Sequence, residues 1–173
     1  MFRRLIQRFN DMRTIKTLCE NAERHANADG QQEPGSEHFI LAALELPDGS
    51  ARKAFERIGA DPSRFRGAIA QQYGDALKSI GVESASLDAL DKGAAVPPKP
   101  GLYKAKSSVQ AVMQQLAAWP KARAEEALTG AHVIAVIAAV QQGVAARALK
   151  KMGVDLQALT DAARAEIRAA NAG

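Results

Sequence analysis

Cysteine is nearly missing from this sequence, and aromatic residues are scarce: one Cys, one Trp, two Tyr and five Phe occur in 173 residues. A lone Cys19 rules out an intramolecular disulfide and fits a reducing compartment. With aromatics at 5% and hydrophobic residues at 47%, a core has to be assembled from Ala, Leu, Ile and Val, a mixture that favours helices. Long apolar runs are missing as well. The longest, HVIAVIAAV from His132 to Val140, falls short of the roughly 18 residues that a membrane span needs. The opening MFRRLIQRF has neither a long apolar core nor a small-residue cleavage site, so the expectation is a soluble cytoplasmic protein without stable membrane insertion.

Several motifs are absent, and each absence closes a class of chemistry. No GxxxxGK[ST] is present to cradle nucleotide phosphates, which excludes ATP hydrolysis by these residues. No CxxC or HxxxH spacing organises a cation, and no GxSxG elbow presents a nucleophile. Cys19 sits on an apolar face beside Leu18 and Ala22, where a small thiol is inert. No cofactor, metal or catalytic residue is expected.

What is present is a repetition. Residues 49–61 read GSARKAFERIGAD, and residues 143–155 read GVAARALKKMGVD, an ungapped offset of 94 that also pairs His38 with His132 and Ile40 with Ile134. Upstream, Ile15, Leu18, Cys19 and Ala22 fall on Val109, Val112, Met113 and Leu116, each set on one face at helical spacing. Asn10 or Asp11 is the expected cap of the first of these helices, and Ser107 or Ser108 starts its counterpart. Ser36 reads as the cap of a second helix and Pro47 as its stop.

A third, short helix carries Ala51, Ala54, Phe55 and Ile58, matched by Ala145, Ala148, Leu149 and Met152, and Gly59 and Gly153 end it in left-handed caps. Asp61 and Asp155 then cap a fourth, with Phe65 and Ile69 or Leu159, Ala163 and Ile167 on its buried face. The fold class is therefore all-α: two four-helix units related by a pseudo-twofold within one domain over 1–173. The first repeat spans about 11–79 and the second about 105–171. Pro97, Pro98 and Pro100 make residues 80–104 a linker, with one short turn around Leu87 to Leu90.

Two ordered copies of SEHFILAALELPDGSARKAFERIGAD and TGAHVIAVIAAVQQGVAARALKKMGVDLQAL resemble the double repeat of the Clp N-terminal domain. The resemblance covers about residues 11–170. It implies a compact helical domain of the kind found at the front of the ClpA, ClpB and ClpC unfoldases, where it receives adaptors and client polypeptides. Beginning at Met1 and ending in NAAG, the chain reads as a free-standing member, with a fragment of an unfoldase as the alternative.

The resemblance also points to residues. It places the Ser36-Glu37-His38 step beside the client-binding surface, and in ClpC-type members it implies that glutamates of both repeats hold phosphorylated arginine. A carboxylate can accept paired hydrogen bonds from a guanidinium. The second copy has Ala131 where the first has Glu37, so at most one such half-site is expected. His38 and His132 read as half-buried residues that bond neighbouring backbone. Trp119, before Pro120, either plugs the space between the copies or anchors a partner.

Phe2, Leu5, Ile6 and Phe9 share one side of a leading helix with arginines opposite; it either packs on the domain or serves as an amphipathic hook for a partner or a membrane surface. The peptide- or adaptor-binding candidates are thus Ser36, Glu37, Ala131, Phe2, Leu5, Phe9 and Trp119. The expected function is that of a non-enzymatic binding module for adaptors, client peptides, a Clp ATPase or a Clp protease subunit. The alternatives are a nucleic-acid regulator acting through Arg3, Arg4, Arg8, Arg13 and Lys16, and a type VI secretion module that recognises a sheath helix.

Overall fold

The structure is a computed structural model, and it describes residues 2–79, 106–120 and 126–172, with side chains from residue 6 onward. Among these residues there are eight α-helices and no strand: α1 (Phe2–Ala28), α2 (Ser36–Leu44), α3 (Ser50–Arg57), α4 (Phe65–Ser79), α5 (Ser107–Ala117), α6 (Gly130–Ala138), α7 (Val144–Lys151) and α8 (Leu156–Ala172). The 94-residue offset carries Ser36–Leu44 onto Gly130–Ala138 and Ser50–Arg57 onto Val144–Lys151 without slippage at either end.

α2 and α6 form the centre. Every residue of α6 is buried, as is α2 from Glu37 to Leu44. A helix that is apolar all round must be enclosed on all sides, which explains why the longest hydrophobic run of the chain is a core helix. The two lie against each other, α1 covers α2, and α5 covers α6. The amphipathic helices then cross between copies: α3 packs on α8, and α4 packs on α7. Salt bridges repeat the exchange, with Arg57 of α3 bonded to Glu166 of α8 at 2.6 Å and Lys151 of α7 paired with Asp75 of α4. The sequence supports two four-helix units; the packing interleaves them into one core cluster.

The predicted ends of α3 and α7 are found. Gly59 and Gly153 take φ of 70° and 78°. The N–H of Ala60 reaches Phe55 O at 3.0 Å and that of Val154 reaches Leu149 O at 3.0 Å, the long bond of a Schellman motif in both copies. Asp61 then accepts from Ser63 N and Asp155 from Ala158 N, both at 2.9 Å. In the first copy Pro62–Arg64 form a 3-10 turn before α4, whereas α8 begins directly at Leu156.

Three expectations are corrected. Neither Asn10 nor Asp11 caps a helix, because α1 runs unbroken through both. The Asp11 carboxylate instead accepts the N–H of Leu128 at 2.9 Å, a use that only the folded chain supplies. Ser36 is the first helical residue and not the cap; Gly35 takes the cap position. The histidines are buried, not half-buried, at 0% and 3% exposure. The proposed linker 80–104, with its turn around Leu87 to Leu90, lies outside the described residues, as do the side chains of Phe2 and Leu5.

Candidate peptide-binding surface

Each central helix starts at a histidine lock. The Gly35 N–H donates to Nδ1 of His38 at 2.9 Å, and the Thr129 N–H donates to Nδ1 of His132 at 3.1 Å. The third residue of the helix reaches back to the cap residue, the role that Glu or Gln plays in a capping box. With Nδ1 accepting, the hydrogen of each ring is on Nε2, which faces a carboxylate: Asp29 Oδ2 at 3.3 Å for His38 and Glu126 Oε1 at 3.2 Å for His132. Bonding to backbone was the reading of these residues from the sequence. Trp119 meets the His132 ring edge-on, with centroids 5.2 Å apart, and packs against the core cluster. That contact lies within the second copy and does not by itself place Trp119 between the copies; α5 stops two residues before it as Pro120 requires.

The two helix N-termini differ in what caps them. At α6, Asp48 and Ser50 of the first copy accept the leading N–H groups: Asp48 Oδ2 takes Gly130 N at 3.2 Å, and Ser50 Oγ takes Ala131 N at 2.8 Å. Positions 142 and 144, which match them, are Gln142 and Val144, and among the described residues neither bonds the start of α2. Ala131 is thus buried beneath an internal cap, while Ser36 remains half-buried at the end of α2.

Glu37 is 2% exposed, with its carboxylate folded over the cap residue. Its Oε1 accepts the Tyr73 hydroxyl at 2.6 Å, and Lys106 Nζ stands 4.0 Å away. A Cβ at position 35 would lie 2.5 Å from Glu37 Oε2, so a larger residue there would displace the Glu37 carboxylate. Burial and the Glu37 bond together push the Tyr73 hydroxyl well above the usual phenol range, so it stays a donor.

Behind this end lies a polar cluster that the sequence pattern did not reveal. His25, Asp29, Glu45 and Arg66 converge from α1, the loop that follows it, the C-terminal end of α2 and α4. Arg66 donates to Nδ1 of His25, while Nε2 of His25 lies 3.0 Å from Glu45 Oε1. Burial holds the His25 pKa below its usual value; Glu45 opposes this, and the charges of Arg66 and Arg24 add to it. Burial alone would raise Asp29, but the His38 contact and Arg66 outweigh it and leave its pKa lowered.

The sign follows from linkage. A histidine whose folded pKa is depressed stabilises the fold above its unfolded value near 6.5, and that contribution is lost as pH falls below it. Asp29 contributes above its unfolded value near 3.8 and adds a second loss below it. Urea midpoints should be level above pH 7 and fall from about pH 6.5 downward. His25→Gln should flatten the first fall and keep the second; an unchanged profile would discount His25.

A cleft of about 290 Å³ lies where the two Gly-x-Asp turns face each other across the pseudo-twofold, Ile58–Asp61 against Met152–Asp155. The repeated stretches of sequence meet here. The repetition was the signal for this cleft, and no candidate residue was placed in it because nothing in a repeat states which copies touch.

The geometry is that of an interleaved helical double repeat with paired histidine locks, and no group of three or more His, Cys, Asp or Glu suited to a metal ion occurs among the described residues. Residues 13–97, just under half of the chain, match the Clp repeat (R) N-terminal domain, and this stretch is a Clp N-terminal domain. Its second copy, beyond the matched stretch, is tied to the first by the 94-residue register.

Among curated proteins it is 32% identical over 66 residues to the chloroplastic chaperone protein ClpC2 of Oryza sativa subsp. japonica, a stretch that is 38% of this chain and 7% of that protein. It is 31% identical over 65 residues to the chloroplastic ClpC of Pisum sativum. Identity is 32% over 66 residues to the chloroplastic ATP-dependent Clp protease ATP-binding subunit ClpA homolog CD4B of Solanum lycopersicum. Coverage in the pea and tomato proteins is again 38% of this chain and 7% of the relative. The chain therefore spans a small fraction of the relatives that it matches. No helix among the described residues is long and apolar enough to cross a membrane.

Proposed function

We propose that this chain is a non-catalytic module that binds polypeptide segments of Clp machinery, whether an adaptor, a client peptide, a Clp ATPase or a Clp protease subunit, and so modulates delivery to the protease or chaperone. The observation that carries the reading is the unequal treatment of the two helix ends. Asp48 and Ser50 fill the N-terminus of α6, while that of α2 leaves Ser36 half-buried, with Lys106 close to Glu37. One half-site for an anionic or carbonyl-bearing segment is the consequence, since helix N–H groups and a nearby ammonium favour negative charge.

Glu37, held by Tyr73, acts in this reading by shaping the end of α2 and not by meeting the ligand directly. Ala131 lies in the filled counterpart, and Trp119 is the core-side support of that counterpart. The cleft between the Gly-x-Asp turns adds mixed contacts, Ile58, Met152 and Val154 beside Asp61, Arg64 and Asp155.

The test is a pull-down from native lysate with the purified chain as bait, read by mass spectrometry against a Ser36→Arg variant. Enrichment of a Clp ATPase, protease subunit or adaptor, reduced at least about tenfold by the variant, is the expected result. Recovery of no Clp component would reject the reading. Equal recovery by both baits would move the contact away from α2.

A further inference from the structure

α1 carries two apolar faces, and only one of them is used by the fold. Leu18, Ala22 and His25 lie along the arc that enters the core. Ile6, Phe9 and Met12 are 48%, 65% and 65% exposed. At about 100° per residue they occupy an arc roughly half a turn from the first. This outward stripe cannot be covered by the chain's own core, because the same helix would have to face two ways. Asp11 fixes the orientation: on the inward side it accepts Leu128 N at 2.9 Å and the Gln7 side-chain amide at 2.8 Å.

Between residues 6 and 19 the exposed charges have one sign, and the first exposed acid on this side is Glu20. Arg8, Arg13 and Lys16 are exposed beside it, while Asp11, the sole acid between residues 6 and 19, is engaged inward. Lys16 has Glu20 3.6 Å away, but Arg8 and Arg13 have no ion-pair partner among the described residues. A second copy would bring like charges together.

We infer that this face of α1 docks on an anionic membrane surface, lying in its plane. Ile6, Phe9 and Met12, spaced over about 9 Å of helix, enter the boundary between headgroups and acyl chains, and Arg8, Arg13 and Lys16 engage lipid phosphates. Since the stripe is opposite the core-packing arc, the core lies on the far side of α1 from the bilayer. This is peripheral adsorption, independent of the Clp-directed binding proposed at α2.

The experiment is flotation of the full chain with phosphatidylglycerol vesicles and, in parallel, with phosphatidylcholine vesicles. Partition onto the anionic vesicles alone, reversed by salt, is the expected result. Phe9→Ser with Met12→Ser should lower it roughly tenfold or more, and Arg8→Gln with Arg13→Gln about thirtyfold. All four positions are exposed, so circular dichroism should show unchanged helicity and keep the comparison interpretable. No partition at low salt, or equal partition by the serine variant, overturns the inference. Capture of the stripe by an acidic amphipathic peptide without vesicle binding overturns it too and assigns the face to a protein partner.

Discussion

Residues 1–79 expressed alone are expected to show no cooperative unfolding transition, although they contain one whole copy of the repeat. Their α3 and α4 pack on α8 and α7, and their α2 lies against α6, so the isolated copy exposes the faces on which its fold depends. Phe39, Phe55, Phe65 and Ile69 are all 0–1% exposed in the full chain. Uncovering even part of such a set removes about 1.5–3 kcal/mol for each large side chain, against a total stability on the order of 5–15 kcal/mol. Urea titration followed by circular dichroism would show a broad, shallow decline in helicity. A sigmoidal transition in this fragment would mean that a copy is autonomous and that the interleaving is secondary to it.

Gly130→Ala should lower stability by about 1–3 kcal/mol, although alanine is the better helix former. A Cβ at this first residue of α6 would stand 2.9 Å from the Ala43 carbonyl oxygen and 2.9 Å from Ala51 Cβ. Neither atom belongs to a flexible side-chain end, so α2 and α3 have to move away from α6. Gly67→Ala in α4 provides the opposite sign. Nothing lies within 4 Å of its added methyl group, the position is exposed, and a gain of about 0.5–1 kcal/mol is expected from backbone entropy. If both substitutions shift the urea midpoint the same way, helix propensity and not the contact between the copies governs position 130.

The glycines also show how far the fold could be read in advance. Gly59 and Gly153 announce themselves, because a glycine followed by Asp at the end of an amphipathic stretch has a local reason to be there. Gly130 has none; its neighbours come from residues about 80 positions away in the chain. Glu37 misleads in the same manner. A carboxylate at the start of a helix is locally favoured by the dipole and looks available, yet Tyr73 from α4 covers it. The polar cluster around His25 and Asp29 was invisible because its members come from separate elements with no shared spacing.

What the sequence determined by itself is everything set within a few residues: helical periodicity, the Gly and Asp caps, the Pro stops, and the 94-residue register that makes two copies. Tertiary structure decided which copy touches which, that α1 continues through Asp11, which helix end is filled by Asp48, and which apolar face of α1 is left facing solvent. The physical reason is range. Backbone hydrogen bonds and caps act between neighbours in the chain, whereas burial rewards any apolar surface that closes, and only the assembled packing selects which surfaces meet.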